Sequence, residues 1–155
     1  MIPLILGAAA VLGAVIYGVN ESERKDEEKR ILNSGIREVD EMSGKEFEKL
    51  LSLLFKNAGY QVKLTPGSQD YGADLVLYKD GEKIVVQAKR YKNPVSVKAV
   101  QEIVSAVKYY NADKAMVITN NRFTGNAYNL ARSNSVELWD RNKLIDFMIK
   151  AKIPN

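Results

Sequence analysis

The chain contains neither cysteine nor histidine among its 155 residues. The lack of cysteine excludes disulfides and thiolate metal sites, and the lack of histidine excludes Ser-His catalytic pairs, imidazole bases and imidazole metal ligands. Carboxylates, amides, lysines and hydroxyls remain available for chemistry. Because hard divalent cations prefer oxygen ligands, Mg²⁺, or Mn²⁺ in its place, is the metal that this composition favours.

Charge is absent from residues 2–19, which read IPLILGAAAVLGAVIYGV. As a helix they span about 27 Å, close to the roughly 30 Å hydrocarbon core of a bilayer, which predicts a transmembrane helix. A cleaved signal peptide is an alternative, but no basic residue precedes the apolar run and no typical cleavage site follows it. A buried core helix is the other alternative, disfavoured because every face of the helix is apolar.

Four basic residues follow this segment and none precedes it. The positive-inside rule therefore predicts a single-pass protein of the cell membrane whose remaining chain lies in the cytoplasm. Ala9 and Gly13 have the spacing of small residues at helix-pairing faces, which permits a homodimer.

Residues 20–42 are dense in charge and predict a juxtamembrane helix or linker, interrupted near Asn33–Gly35. Residues 21–41 hold eight acidic and five basic residues, so the rest of the chain has 11 acidic and 18 basic residues, a net charge of +7. A basic domain favours a polyanionic partner.

The hydrophobic pattern predicts one α/β domain over residues 43–150. Ser43 and Glu46 have the spacing of a helix capping box, and Gly59 marks the end of that first helix. The order α-β-β-β-α-β-α-β-α predicts a mixed central sheet flanked by helices. Strands are expected at 60–64, 73–78, 83–89, 114–119 and 136–139, with later helices at 97–110, 124–132 and 140–150.

Asp80-Gly81 predicts a two-residue turn between the second and third strands. In that register Asp74 lies opposite Gln87, and Lys89 returns to the same face two residues later. Three polar side chains thus converge where two apolar strands end.

This arrangement permits metal-assisted hydrolysis of a phosphodiester. Asp74, the Gln87 side-chain oxygen and the Ala88 carbonyl are the predicted metal ligands, and Lys89 is predicted to orient or deprotonate the attacking water. Glu48 on the first helix is the candidate for a further metal-binding, catalytic carboxylate. The alternative is a simple Asp-Lys ion pair at the sheet edge.

The segments SGKEFEKLLSLLFKNAGYQV, SQDYGADLVLYKDGEKIVVQAKRYKNPVSVKAVQEI, MVITNNRFTGNA and VELWD resemble the Mrr-type restriction endonuclease domain, a branch of the PD-(D/E)xK nuclease superfamily. The family's Gly-x-Asp aspartate falls on Asp74, its Gln-x-Lys motif on Gln87 and Lys89, and its first-helix acid on Glu48. The resemblance implies a restriction endonuclease-like core and Mg²⁺-dependent cleavage of DNA, often modified or foreign DNA.

Other residues are candidates for supporting roles. Asp70 holds the family's Asp-x-Gly position, behind the metal ligands, although a turn would also use Asp there. Contacts to DNA are predicted for residues just after the motif, on the following helix and at the end of the fourth strand: Arg90, Lys92, Lys98, Gln101, Asn120 and Arg122. A solvated helix face and an ordinary turn are the alternatives for these residues.

The sequence therefore predicts a membrane-anchored, Mg²⁺-dependent DNA endonuclease of the restriction type. Two alternatives remain: a DNA-binding module with the same fold but no hydrolytic activity, and a structure-selective nuclease such as a junction resolvase.

Overall fold

The computed structural model describes the backbone of residues 7–66 and 71–152, with the side chains from residue 20 onward within these ranges. The chain divides into two compact units between Asn33 and Ser34. Asp70, and residues 2–6 of the predicted membrane helix, lie outside the described residues.

The first unit contains a single helix, α1 (Gly7–Leu32). Its charged half contains ion pairs between residues three or four apart. Arg24 guanidinium nitrogens lie 2.6 Å from carboxylate oxygens of Glu21 and Glu28, and an Arg30 nitrogen lies 2.6 Å from a Glu27 oxygen. Each exposed pair of this kind stabilises a helix only weakly, but together they favour helix in a segment with little apolar surface to bury.

The predicted membrane-spanning helix is wrong. Within the part of the chain that the structure describes, no helix has both the length and the apolar character needed to cross a bilayer. Helix α1 continues from uncharged residues directly into the charged stretch that begins at Glu21. The predicted single-pass membrane localisation is therefore wrong, and so is the sidedness derived from it. The homodimer stays a prediction, because the structure describes no contact of Ala9 or Gly13 that would test it.

The second unit contains five strands and five helices in the described residues. In chain order they are α2 (Ile36–Glu41), α3 (Gly44–Asn57), β1 (Gln61–Leu64), β2 (Leu75–Lys79), β3 (Glu82–Lys89), α4 (Val97–Tyr110), β4 (Lys114–Thr119), α5 (Gly125–Ser133), β5 (Val136–Trp139) and α6 (Arg141–Lys152). The predicted α/β order from the first helix of the domain onward is confirmed.

The five strands form one mixed sheet in the order β1-β2-β3-β4-β5. The pairs β1-β2 and β2-β3 are antiparallel, whereas β3-β4 and β4-β5 are parallel. On one face, α4 and α5 pack on a core that includes Val76, Val85 and Val117. Helix α3 packs against β1, β2, β3 and α6, and covers the other face, to which strand alternation directs Leu75 and Val86.

Local signals in the sequence produced the elements that position the site. Ser43 and Glu46 form the predicted capping box, with both reciprocal hydrogen bonds at 3.1 Å. Asp80 and Gly81 have φ values of 51° and 81°, as a two-residue hairpin turn requires. The predicted register is confirmed as far as the ladder extends, from Lys79 opposite Glu82 to Leu75 opposite Val86.

Candidate active site

Asp74 lies where β2 begins, directly beside the end of β3. Its N–H donates to the Val86 carbonyl at 2.8 Å, and its carboxylate oxygen Oδ2 accepts from the Ala88 N–H at 2.7 Å. These two bonds bracket Gln87. The β2-β3 pairing ends at Leu75 and Val86. Beyond that point the Asp74 side chain, in place of a backbone carbonyl of β2, accepts the hydrogen bond from the Ala88 N–H. The backbone N–H and C=O of one strand residue point to the same side of the strand. The Ala88 carbonyl is therefore also directed to the Asp74 side of β3.

Gln87 is buried in β3, with only 3% of its surface exposed. Its Nε2 donates to Glu102 Oε2 on α4 at 2.8 Å. An ionised carboxylate only accepts hydrogen bonds, so this contact fixes which end of the amide faces α4. The Gln87 Oε1 atom is buried and has no hydrogen-bond partner among the described residues. Such an orphaned acceptor costs about 1–3 kcal/mol unless a water or cation satisfies it.

Lys89 ends β3 with a side chain that is 20% exposed. Its Nζ lies 3.8 Å from Glu102 Oε2 and 5.6 Å from the centre of the Tyr91 ring. The backbone is held as well, since the Lys89 carbonyl accepts from Thr119 Oγ1 of β4 at 2.6 Å. Lys89 and Gln87 therefore meet at one carboxylate.

Glu102 and Tyr91 are the two residues of this group that sequence reasoning missed. Glu102 carried one usable signal, because it is the only acidic residue in α4. Tyr91 follows the Gln-x-Lys motif by two residues, and its exposed ring borders the cavity beside Lys89.

The oxygen donors at this edge suit a hard divalent cation. Asp74 supplies a carboxylate, Gln87 an unsatisfied amide oxygen and Ala88 a carbonyl, which together match the ligand preference of Mg²⁺. Within residues 7–66 and 71–152 no three acidic side chains gather into a group that could hold a metal ion.

Glu48 lies half-buried on α3, the helix that covers the face of the sheet opposite α4. The structure does not place it on the Gln87 and Lys89 face. Its part as a metal-binding carboxylate stays a prediction.

Gly72, in the loop before Asp74, packs closely against helix α4. Its φ is +88°, and a Cβ atom there would lie 2.4 Å from the Glu102 carbonyl oxygen. Only glycine permits this approach, so the loop that delivers Asp74 packs against the same turn of α4 that delivers Glu102.

The predicted DNA contacts separate into two groups. Four side chains are exposed around the site: Lys92, Lys98, Gln101 and Arg122. Lys98 shares a cavity of about 150 Å³ with Lys89 and Glu102, whereas Lys92 and Arg122 line a neighbouring cavity of about 520 Å³. Tyr91 borders both cavities.

Arg90 and Asn120 are instead bonded within the protein. Asn120 is 4% exposed, accepts from the Tyr91 N–H at 2.8 Å and donates to Asp40 Oδ1 at 2.9 Å. Arg90 donates to the Asp40 carbonyl at 3.1 Å. These contacts fix the segment that follows Lys89.

Asp40 of α2 also binds Arg141 of α6 through two hydrogen bonds, at 2.7 and 3.0 Å. The hydrogen bonds from the Arg141 guanidinium, with those from Asn120 and the nearby charges of Arg141 and Arg90, hold the pKa of Asp40 below its ordinary value against the opposing effect of burial. This ion pair joins α2 to α6, the last helix of the second unit.

Comparisons with known proteins agree with this geometry. The Mrr_cat family, described as a restriction endonuclease, matches residues 39–148. The type IV methyl-directed restriction enzyme EcoKMrr of Escherichia coli (strain K12) is 29% identical over 73% of this chain and 40% of its own length. An uncharacterized protein, y4cE, of Sinorhizobium fredii (strain NBRC 101917 / NGR234) is 24% identical over 74% of this chain and 32% of its own.

Solved structures share the fold. The DNA modification-dependent restriction endonuclease AspBHI is similar with a TM-score of 0.59 and 20% identity, over 83% of this chain and 36% of that one. A protein of unknown function, AF1548, is similar with a TM-score of 0.56 and 18% identity, over 66% of this chain and 63% of that one. The chain thus spans two fifths or less of the curated relatives it matches. Because the family match covers more than half of the chain and includes Asp74, Gln87 and Lys89, the protein belongs to the restriction endonuclease family.

Proposed function

We propose that this protein is a divalent-metal-dependent DNA endonuclease that hydrolyses phosphodiester bonds at the edge formed by Asp74, Gln87 and Lys89. One observation carries the proposal: a buried, unsatisfied amide oxygen of Gln87 lies beside a carboxylate and a lysine at the ends of two paired strands. A cation bound at this edge would satisfy the buried acceptor.

The residues have distinct parts in the proposed reaction. Asp74, Gln87 and Ala88 would hold a Mg²⁺ or Mn²⁺ ion, with Glu48 as a further candidate, and the ion would supply Lewis-acid stabilisation of the phosphate charge. As a cation, Lys89 orients the attacking water and stabilises the charge that develops on the phosphate; in its neutral form it would instead take a proton from that water. The oxygen of that water bonds to phosphorus, the bond from phosphorus to one sugar oxygen breaks with its electron pair on that oxygen, and the sugar oxygen takes a proton from solvent to leave as a hydroxyl.

Exposed basic residues support DNA as the polyanion. Lys98 lines the cavity beside Lys89, Lys92 and Arg122 line the neighbouring cavity, and Gln101 is exposed on α4. In this proposal all four contact the phosphate backbone. The supporting role of Asp70 stays a prediction, because Asp70 lies outside the described residues.

The substrate class follows from the relatives. The names of EcoKMrr and AspBHI identify a methyl-directed and a modification-dependent enzyme. We therefore propose restriction of modified DNA, with methylated DNA as the first substrate to test.

The proposal is tested with supercoiled plasmid, methylated or unmethylated, incubated with the full chain and Mg²⁺ or with EDTA. We expect nicked or linear DNA only with the metal, and more of it from the methylated plasmid. Gel shift of the same plasmids and cleavage of a four-way junction run in parallel.

A shift of plasmid without any cleavage in Mg²⁺ or Mn²⁺ would overturn the proposal in favour of a DNA-binding module. Cleavage of the junction with intact plasmid would instead indicate a structure-selective nuclease. Equal cleavage of both plasmids would contradict recognition of methylated DNA but would still support the proposed hydrolysis.

A further inference from the structure

Glu102 contacts two of the three residues that define the proposed site. Its Oε2 atom accepts from Gln87 Nε2 at 2.8 Å and lies 3.8 Å from Lys89 Nζ. The same Glu102 oxygen atom thus contacts both the Gln87 amide and the Lys89 ammonium group of β3.

The contact with Gln87 decides which atom of the amide is presented. A primary amide can rotate to exchange its oxygen and its NH₂ group, and only the oxygen can ligate a cation. Because the Glu102 carboxylate can accept but not donate, it holds the NH₂ group on the α4 side and leaves Oε1 directed away from it, buried and with no partner in the described residues.

The contact with Lys89 sets the position of its charge. The ammonium group has a long flexible stem, and its side chain is only 20% exposed. A carboxylate at 3.8 Å on one side and the Tyr91 ring at 5.6 Å restrict where Nζ lies when DNA arrives.

Helix α4 is itself tied to the loop that carries Asp74. The Glu102 carbonyl lies so close to Gly72 that a Cβ atom there would be 2.4 Å away. The backbone of Glu102 thus contacts the Asp74 loop while its side chain contacts Gln87 and Lys89.

We propose that Glu102 is a positioning residue that orients the Gln87 amide for metal binding and holds Lys89 for phosphodiester hydrolysis. The inference rests on the proposed nuclease function and adds to it a residue from outside the Asp74, Gln87 and Lys89 motif. Partners that orient metal ligands commonly affect metal affinity or activity by 10- to 100-fold.

The test measures Mn²⁺ binding in the absence of DNA, by electron paramagnetic resonance, for the full chain and for Glu102→Ala and Glu102→Gln. We expect Glu102→Ala to weaken Mn²⁺ binding by roughly 10- to 100-fold. Glu102→Gln keeps an acceptor for the Gln87 amide, so we expect a smaller loss of affinity. Cleavage of plasmid at saturating metal should fall in both variants, because Lys89 loses its carboxylate partner.

Glu82→Gln is the matched control, since Glu82 is a carboxylate at the other end of the same strand, paired with Lys114 at 3.2 Å. It should leave Mn²⁺ affinity and cleavage unchanged. Thermal unfolding of every variant identifies a loss that comes from misfolding, and the isosteric Glu102→Gln provides the test if Glu102→Ala does not fold.

Wild-type affinity and cleavage in folded Glu102 variants would overturn the positioning role and leave the nuclease proposal intact. Failure of the wild-type chain itself to cleave DNA with either metal would overturn the proposed function instead. The two failures are therefore distinguishable in one set of measurements.

Discussion

At the scale of single residues, Gly72 has the tightest steric constraint among the glycines of the described part. Its φ of +88° is unfavourable for any residue with a Cβ, and the Cβ position is already occupied by the Glu102 carbonyl of α4. Gly81 has a similar φ of +81° but nothing within 4 Å of its Cβ position. Comparing Gly72 with Gly81 therefore distinguishes the cost of backbone strain, which both positions have, from the cost of a steric clash, which only Gly72 has.

We expect Gly72→Ala to lower the free energy of unfolding by about 2–5 kcal/mol, the sum of left-handed backbone strain and an overpacked contact with backbone. Gly81→Ala carries the strain alone and should cost about 1–2 kcal/mol. Urea denaturation of both variants measures the difference. Equal losses for the two would show that the loop does not pack against α4 as described.

The residues of the site differ in how far the sequence could predict them. Asp74, Gln87 and Lys89 follow from the period of two in strands and the Asp80-Gly81 turn, both of which are local. Glu102 does not, because which side of α4 meets the sheet depends on how Val100 and Ile103 pack in the core. The orientation of the Gln87 amide is likewise a result of tertiary contact.

At the scale of secondary-structure elements, Asp40 links α2 to α6 and to the end of β4. Its carboxylate receives two hydrogen bonds from Arg141 and one from Asn120, whose own oxygen fixes the Tyr91 backbone. The segment from Lys89 to Tyr91 is therefore supported by an ion pair between elements far apart in the chain.

Asp40→Asn should lower the free energy of unfolding by about 1–2 kcal/mol at pH 7, since charge-assisted hydrogen bonds are lost from a partly exposed pair. The folded-state pKa of Asp40 lies below its unfolded value of about 3.9, so its stabilisation is complete above about pH 5 and is lost as the pH falls through the folded pKa. Urea denaturation at pH 7 and near pH 3 should show the gap between wild type and Asp40→Asn narrowing in acid.

Glu41→Gln is the control for this experiment, because Glu41 is an exposed neighbour on the same helix. It should leave the free energy of unfolding within about 0.5 kcal/mol of wild type at both pH values. A gap for Asp40→Asn that widens in acid would contradict the assigned ion pair.

The elements themselves were largely predictable, and the exception is informative. The bounds of α4, β4 and β5 match the sequence predictions, because the apolar pattern marks all three and Ser96 caps α4 as well. The membrane-spanning helix is the exception, since no helix in the described residues is both long and apolar enough to cross a bilayer. In the structure α1 runs from apolar into charged residues within one helix.

At the scale of the whole molecule, the mixed sheet explains why the site lies where it does. The antiparallel pairing of β2 with β3 sets the start of one strand beside the end of the other, and the parallel β4 supports Lys89 from the opposite side. Helix α4 then closes the face with Glu102. The basic excess outside residues 21–41 is consistent with a polyanion at this edge.

The central claim is tested most directly by comparing plasmid cleavage by wild type, Lys89→Ala and Lys114→Ala with Mg²⁺, alongside plasmid binding. Lys114 lies in β4 opposite Ile84, away from the site, and serves as the matched loss of one charge. We predict that Lys89→Ala lowers the cleavage rate by about 100-fold or more while plasmid binding and thermal unfolding change little, and that Lys114→Ala cleaves as wild type does. Cleavage by folded Lys89→Ala at the wild-type rate would contradict the account.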